Sequence, residues 1–268
     1  MGRCSRPRGS PGLTVELFEF LILAVAGLFG GVFAGLFGVG GGGVFVPALV
    51  YGAGWNIKEA VAASLVIIVF SALSGAVRSY RSQAPPDIRV AALFACTVAP
   101  STLIGVSISA VSPETLVKVV FASFLFILAF LTFRRGSKED GGMSESMHPA
   151  LALFAGVGIG TLAGLIGIGG AAMMVPLMSL GFGVPVRAAI STSLAVTVAI
   201  GVVGAGGYIF AGFDQIAGLP PIIVGSIAGA WLGVRVRDLM SDAFLQKAFA
   251  AFMVVVAVRV LLDAAGVA

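Results

Sequence analysis

AGLFGVGGG (34–42), followed by Pro47, returns 129 positions later as AGLIGIGGA (163–171), followed by Pro176. Both stretches lie inside apolar sequence that is otherwise almost unbroken. A helix interrupted at membrane depth is tolerated only where protein or a water-filled cavity satisfies the freed backbone groups, and paired interruptions in two halves of a chain point to a central binding site. The duplicated glycine-proline break therefore predicts a transporter assembled from an internal repeat.

Composition agrees. Hydrophobic residues fill 59% of the 268 positions and charged residues only 10%, against roughly 25% charged in a soluble domain. Such a chain is solvated mainly by lipid. Its 38 glycines are too dispersed for collagen and suit close helix approach and local unwinding in a bundle. The net charge of +4 comes from Lys and Arg gathered at the ends of apolar runs, where anchoring and topology account for it and nucleic acid is not needed. Cys4 sits in a polar tail and Cys96 in an apolar run, so they form no disulfide framework or metal set. His148, the one histidine, precedes Pro149 in a polar linker. Neither metal nor triad chemistry is supplied, and the expectation is a protein that is not an enzyme and carries no cofactor.

The opening MGRCSRPRGSPGLT is basic and proline-containing, and the apolar run behind it is too long for a cleaved signal. Arg6 departs from the myristoylation pattern. One hypothesis is that natural translation starts at Val15, so that the preceding residues are not native; an N-terminus mapped upstream of Val15 by mass spectrometry refutes it.

Eight runs have about the length a bilayer crossing requires: 17–37, 60–77, 90–111, 115–133, 150–168, 188–210, 216–234 and 243–262. Asn56 with Glu59 resembles a capping box, Ser112-Pro113 and Pro185 open helices, and Ser241 is placed to cap the last run. The expected architecture is an all-α integral membrane protein of about eight transmembrane helices in two four-helix repeats. A polar tail (1–16) leads into a first membrane repeat (17–133), a polar linker (134–148) and a second repeat (149–268). With the offset held at 129, nine of nineteen positions from 34 to 52 match 163–181, where about two would match by chance in so biased a composition. Ser64 then matches Ser193, Leu65 Leu194, Gly75 Gly204, and Lys118 Lys247. The segments after the glycines, 44–51 and 172–180, are too short to cross alone and read as half-helices or re-entrant stretches that continue a broken first helix.

The paired G-x-G-G and proline signature, the Ser-Leu pairs (Ser64-Leu65, Ser193-Leu194) and the turn at Gly212 to Asp214 together resemble the TauE/SafE family of sulfite and organosulfonate exporters. The resemblance spans about 17–262. It implies movement of a small sulfur-containing anion, such as sulfite, sulfoacetate or a related sulfonate, across the cytoplasmic membrane, without ranking them. The first half departs from its partner at Pro85-Pro86-Asp87, and has Ala62-Ala63-Ser64 where the second has Ser191-Thr192-Ser193.

Physical chemistry gives its own reason for an anionic cargo. Consecutive glycines let backbone N–H groups converge, and a half-helix starting near mid-membrane turns its partial positive end inward. In this reading Gly38, Gly40, Gly41 and Gly42, with Gly167, Gly169 and Gly170, shape the two binding turns. Pro47 and Pro176 fix the breaks, and Ser64, Ser191, Thr192 and Ser193 donate hydroxyl hydrogen bonds. The plainer reading of any one glycine is tight helix crossing; recurrence of glycines, proline and hydroxyls in both halves favours a site for the set. Lys58 and Arg187, which align across the repeat, read as interfacial anchors. Trp55, Tyr80, Tyr208 and Trp231 read as belt aromatics, and Met173 and Met174 as packing.

The twelve carboxylates, among them Glu59, Asp87, Glu114 and Asp214, fall in tails, turns or run ends, so the runs display no buried proton carrier of the usual kind. A negative-inside potential drives an anion outward by about 2.3 kcal/mol per charge per 100 mV. Uncoupled export follows as the expectation. A passive anion channel and a proton- or sodium-coupled importer are the alternatives; an intramembrane enzyme lacks a catalytic constellation, and a purely structural subunit would tolerate larger residues at Gly40 or Gly169. Counting eight full crossings puts nine Lys or Arg on the N-terminal side against six, a weak preference for an inward N-terminus that disappears without the tail. Parallel or inverted repeats, and oligomeric state, stay open at this level.

Overall fold

The structure is a computed structural model. It describes residues 13–38, 40–82, 84–135, 149–167, 169–170, 173–175, 177–178, 184–213 and 219–241, and then 244, 251, 254–255, 257–258 and 260–262. Eight helices are numbered here: α1 (Leu13–Phe37), α2 (Gly42–Pro47), α3 (Ile57–Ser79), α4 (Ile88–Val111), α5 (Glu114–Arg135), α6 (Pro149–Ile166), α7 (Val186–Phe210) and α8 (Pro220–Arg237). The helix α2 runs on as a π-helical turn, Ala48–Gly52. Residues 173–175 and 177–178 are helical, as are the described residues from 244 to 262. Among the described residues, four spans within α1, α3, α4 and α7 are long and apolar enough to cross a membrane. The linker 136–148 and the tail 1–12, including His148 and Cys4, lie outside the described residues.

Local chemistry sets the helix ends. Asn56 accepts from Lys58 N at 2.9 Å while its own N–H donates to Glu59, completing the anticipated capping box at the start of α3. Asp87 caps α4 through Arg89 N and Val90 N. Pro185 immediately precedes α7 without a side-chain cap, and Ser241 Oγ accepts from Phe244 N at 3.4 Å. Lys58 Nζ donates to Ala110 O at 3.2 Å and Arg187 Nη2 to Met240 O at 3.2 Å. Each of these repeat-matched cations thus binds a carbonyl at the C-terminal end of α4 or α8, where the helix dipole favours positive charge.

Packing follows the repeat but crosses it. Helix α1 lies against α8 through glycines: an added Cβ at Gly27, Gly31 or Gly35 would strike the backbone of Ile222, Ser226 or Ala230. Gly225, Gly229 and Gly233 of α8 reply against Ala24, Leu28 and Val32. The matching pair is α6 on α4, with Gly156, Gly160 and Gly164 against Thr97, Val98, Ser101 and Thr102. Small residues at four-residue spacing let backbones meet, the usual source of helix association where lipid removes the hydrophobic drive. Each half therefore lends its first helix to the third long helix of the other.

The central pair is α3 with α7. Leu65 meets Gly201 and Gly204, whereas Gly75 meets Leu194, so these repeat-equivalent helices run antiparallel. By contrast, α1 runs parallel to α8 and α6 parallel to α4, as the rising order of their contacts shows. The core around this pair is aliphatic: Val61, Leu65, Ile67, Ile68, Leu194, Val196 and Ile200 are buried. Long side chains such as Phe29, Phe70, Ile104, Phe126 and Phe210 face outward, which is the arrangement a lipid-solvated bundle requires.

The reading of one aromatic changes. Tyr208 is buried, its hydroxyl donating to Gly164 O at 3.0 Å, so it packs α7 on α6 and is not a belt aromatic. Tyr80 and Trp231 are exposed as a belt requires, and the Arg78 guanidinium stands 5.7 Å from the Trp231 ring centre.

Candidate functional site

The backbone at the two breaks is the same backbone twice. Gly38, Gly40 and Gly41 have φ of 68°, 73° and 85°; Gly167, Gly169 and Gly170 have 71°, 81° and 67°. These left-handed values strain any residue with a Cβ, so glycine is required at all six. Gly38 N donates to Ala34 O and Gly167 N to Ala163 O, both at 2.9 Å, closing the end of α1 and of α6. Gly41 O then accepts from Val44 N and Phe45 N, as Gly170 O does from Met173 N and Met174 N. Phe45 turns back onto Gly30 and Gly41, which makes α2 a return segment beside α1.

The two turns converge at the centre of the molecule. A Cβ on Gly40 would come within 2.6 Å of Thr197 Cγ2 and 3.2 Å of Ile68 Cγ2; one on Gly169 would meet the same two groups at 3.1 and 3.5 Å. Ile68 is the middle residue of α3 (23 residues) and Thr197 lies one position from the middle of α7 (25 residues). Gly40 and Gly169 therefore both pack against Ile68 and Thr197, near the middle of α3 and α7.

Hydroxyls tie the turns across the repeat. Ser64 Oγ donates to Gly167 O at 2.9 Å, and Ser193 Oγ donates to Gly38 O at 3.0 Å. Each half thus holds the other half's break. Ser71 Oγ donates to Gly40 O at 3.1 Å and Thr197 Oγ1 to Gly169 O at 3.4 Å. Four glycine carbonyls of the turns are consequently paired with buried hydroxyls.

The residues singled out by sequence divide into two groups. Gly38, Gly40, Gly41, Gly42, Gly167, Gly169, Gly170, Ser64 and Ser193 come together at the breaks. Ser191 and Thr192 do not: Ser191 Oγ donates to Ala84 O at 2.7 Å, and Thr192 Oγ1 accepts from Asp87 N at 2.9 Å. They hold the α3–α4 turn, because each helical step rotates a side chain by about 100° away from Ser193. Pro47 lies near Val46, Tyr51, Ile57, Lys118 and Val260, flanking the break and not inside it. Pro176 lies outside the described residues.

Ser71 and Thr197 were not anticipated. Their spacing carries the signal: seven residues after Ser64 and four after Ser193 return to one helix face. Arg237 was also missed. Placed beyond the end of an expected span, it is instead the fully buried last residue of α8.

Comparison with known proteins supplies the family. The sequence profile described as sulfite exporter TauE/SafE matches residues 23–260. A probable membrane transporter protein of Bacillus subtilis, YdhB, is 28% identical over 222 residues, covering 81% of this chain and 90% of that protein. A second from the same organism, YunE, is 25% identical over 83% of this chain and 90% of its own length. The Arabidopsis thaliana sulfite exporter TauE/SafE family protein 3 is 28% identical over 127 residues, which is 45% of this chain and 27% of that protein. No solved structure is a significant match. Apolar helices fit for membrane spans, a duplicated glycine break and a profile match over most of the chain place this multi-pass membrane transporter in the TauE/SafE sulfite exporter family.

Proposed function

We propose that the chain exports a small sulfur-containing anion, such as sulfite, sulfoacetate or a related sulfonate, across the cytoplasmic membrane. The substrate meets the protein between the two glycine breaks, where N–H groups at the starts of the return segments supply partial positive charge. Gly38, Gly40, Gly41, Gly42, Gly167, Gly169 and Gly170 form the turns, Ser64 and Ser193 lock them, and Pro47 borders the first; Pro176 is its counterpart in sequence. Ser191 and Thr192 act at one mouth. The observation that carries this reading is the reciprocal pair Ser64 to Gly167 and Ser193 to Gly38: two halves gripping each other's break can exchange access only by moving together. Close packing of both breaks on Ile68 and Thr197 favours such alternation over an open channel.

The antiparallel α3 and α7 support eight membrane helices in two inverted repeats. The breaks return the chain before it completes a crossing, so the eight-crossing charge count does not apply. Arg78, Arg81, Arg89, Arg187, Arg235 and Arg237 belong to the ends of α3, α4, α7 and α8 that meet through Arg237, Ser82, Ser191 and Asp87, while Lys58 lies at the opposite end. By the positive-inside rule the arginine-bearing end faces the cytoplasm, and α1 starts outside. For a divalent anion a potential of 100 mV then favours exit by about 4.6 kcal/mol without a coupling ion.

Purified protein in liposomes tests this with sulfite, sulfate, thiosulfate, taurine and sulfoacetate. Efflux of at least one sulfur anion driven by an imposed potential, with no pH gradient, is the expected result. Transport that needs a pH gradient and persists with the potential clamped at zero overturns the uncoupled mechanism, and channel-like turnover overturns alternation.

A further inference from the structure

The end of the molecule where α3, α4, α7 and α8 meet holds a guanidinium that the repeat does not explain. Arg237 is 0% exposed. Its Nη2 donates to Ser191 Oγ at 3.3 Å and lies 3.5 Å from Ser82 Oγ. Its Nε is 3.8 Å from Asp238 Oδ1, an ion pair beyond hydrogen-bond reach. Neither Nε nor Nη1 has a hydrogen-bond partner among the described residues, and the same holds for the buried Ser79 Oγ. Ser82 Oγ donates to Ser79 O at 2.8 Å, which joins Ser79 to the same turn. Arg78 and Arg187 add positive charge at this end.

A guanidinium only donates, and burying one is strongly unfavourable unless acceptors and countercharge complete it. One carboxylate at 3.8 Å does not complete Arg237. The group that would is a small anion with several acceptor oxygens. The repeat supplies a control. The glycine contacts align α8 with α4 at an offset of 128, which sets Arg237 against Ser109, and the offset of 129 elsewhere sets Ser79, Ser82 and Ser191 against Tyr208, Ala211 and Ala62. At the opposite end a buried serine, Ser109, takes the place of Arg237, so no guanidinium stands there.

We propose that Arg237, with Ser79, Ser82 and Ser191, binds a small oxyanion at the arginine-bearing end and loads it toward the Gly38 break. Ser191 lies about 3 Å along the axis of α7 from Ser193, whose Oγ holds Gly38 O, on a different face of the same helix. The loading role rests on the transport reading above; the binding site does not. A sulfonate or sulfite group and a lipid phosphate share the required chemistry, and the test separates them.

Sulfite binding is measured by calorimetry on the full chain in nanodiscs of phosphatidylcholine, with and without phosphatidylglycerol. Arg237→Gln is expected to weaken binding about tenfold or more, the loss of a charge-assisted bond, and Arg237→Lys to weaken it less. If Arg237→Gln does not fold, Arg237→Lys and Ser191→Ala carry the test. In vesicles of one orientation, Arg237→Lys raises KM from the arginine-bearing face only; an equal rise from both faces overturns the loading role. Unchanged sulfite affinity in Arg237→Lys, with loss of phosphatidylglycerol retention by native mass spectrometry, assigns the pocket to lipid and overturns the proposal. Gly40→Ala separates the two readings: if it leaves transport intact the glycine-break site falls, whatever Arg237 does.

Discussion

At the breaks, the two halves share their φ angles, their turn hydrogen bonds and their crossed serines. At the mouths they share little: Ser191-Thr192 faces the α3–α4 turn and Arg237, whereas the equivalent Ala62-Ala63 is buried and apolar. Duplication has been held wherever the backbone must reverse at mid-depth and released where the chain meets one aqueous face or the other. In the proposed inverted arrangement the halves would face opposite sides of a membrane, and identical centres with different ends would suit directional transport.

The comparison breaks first at its centre. Gly40→Ala adds a left-handed penalty of about 1–2 kcal/mol and drives a methyl to 2.6 Å from Thr197 Cγ2, overpacking of about 1–3 kcal/mol. Transport in liposomes should fall more than tenfold. Gly169→Ala carries the same backbone penalty with its nearest contact at 3.1 Å, so its melting temperature should drop less. Equal drops would mean that Thr197 yields, and that the two turns are less alike in their surroundings than their angles suggest.

Crossed serines come next. Ser64→Ala and Ser193→Ala should each destabilise by about 1 kcal/mol, and by similar amounts, in reversible unfolding from bicelles. A cost confined to one of them would show that a single break holds the other. The smallest effect concerns the helix starts. Asn56 and Pro185 occupy equivalent positions, but only Asn56 caps with its side chain. Asn56→Ala should therefore cost about 0.5–2 kcal/mol, whereas Pro185→Ala should stay within about 0.5 kcal/mol.

Much of the fold was legible because lipid solvation leaves few choices: apolar runs of crossing length become helices, and glycine with proline marks where they stop. The capping box at Asn56 and the six left-handed glycines could be read from residue type alone. Which hydroxyls reach the breaks could not. Ser191, Thr192 and Ser193 are adjacent in sequence, but a helix points them in three directions, and only the crossing of α3 with α7 decides that Ser193 meets Gly38 while its neighbours meet the α3–α4 turn. Arg235 and Arg237 look alike at the end of a run, and their faces are told apart only once α8 has its neighbours. Helix direction was hidden for a related reason, since a return segment of a few residues changes the parity of every crossing after it.

The exchange of first helices between halves also bears on how the molecule is made. Gly27 waits for Ile222, 195 positions later, and at ribosomal speeds of about 5–20 residues per second that is a delay of about 10–40 seconds. Throughout it the glycine groove of α1 stands in the bilayer without its mate. Separately synthesised halves should accordingly remain unassembled alone and recover a functional transporter only when produced in the same cell.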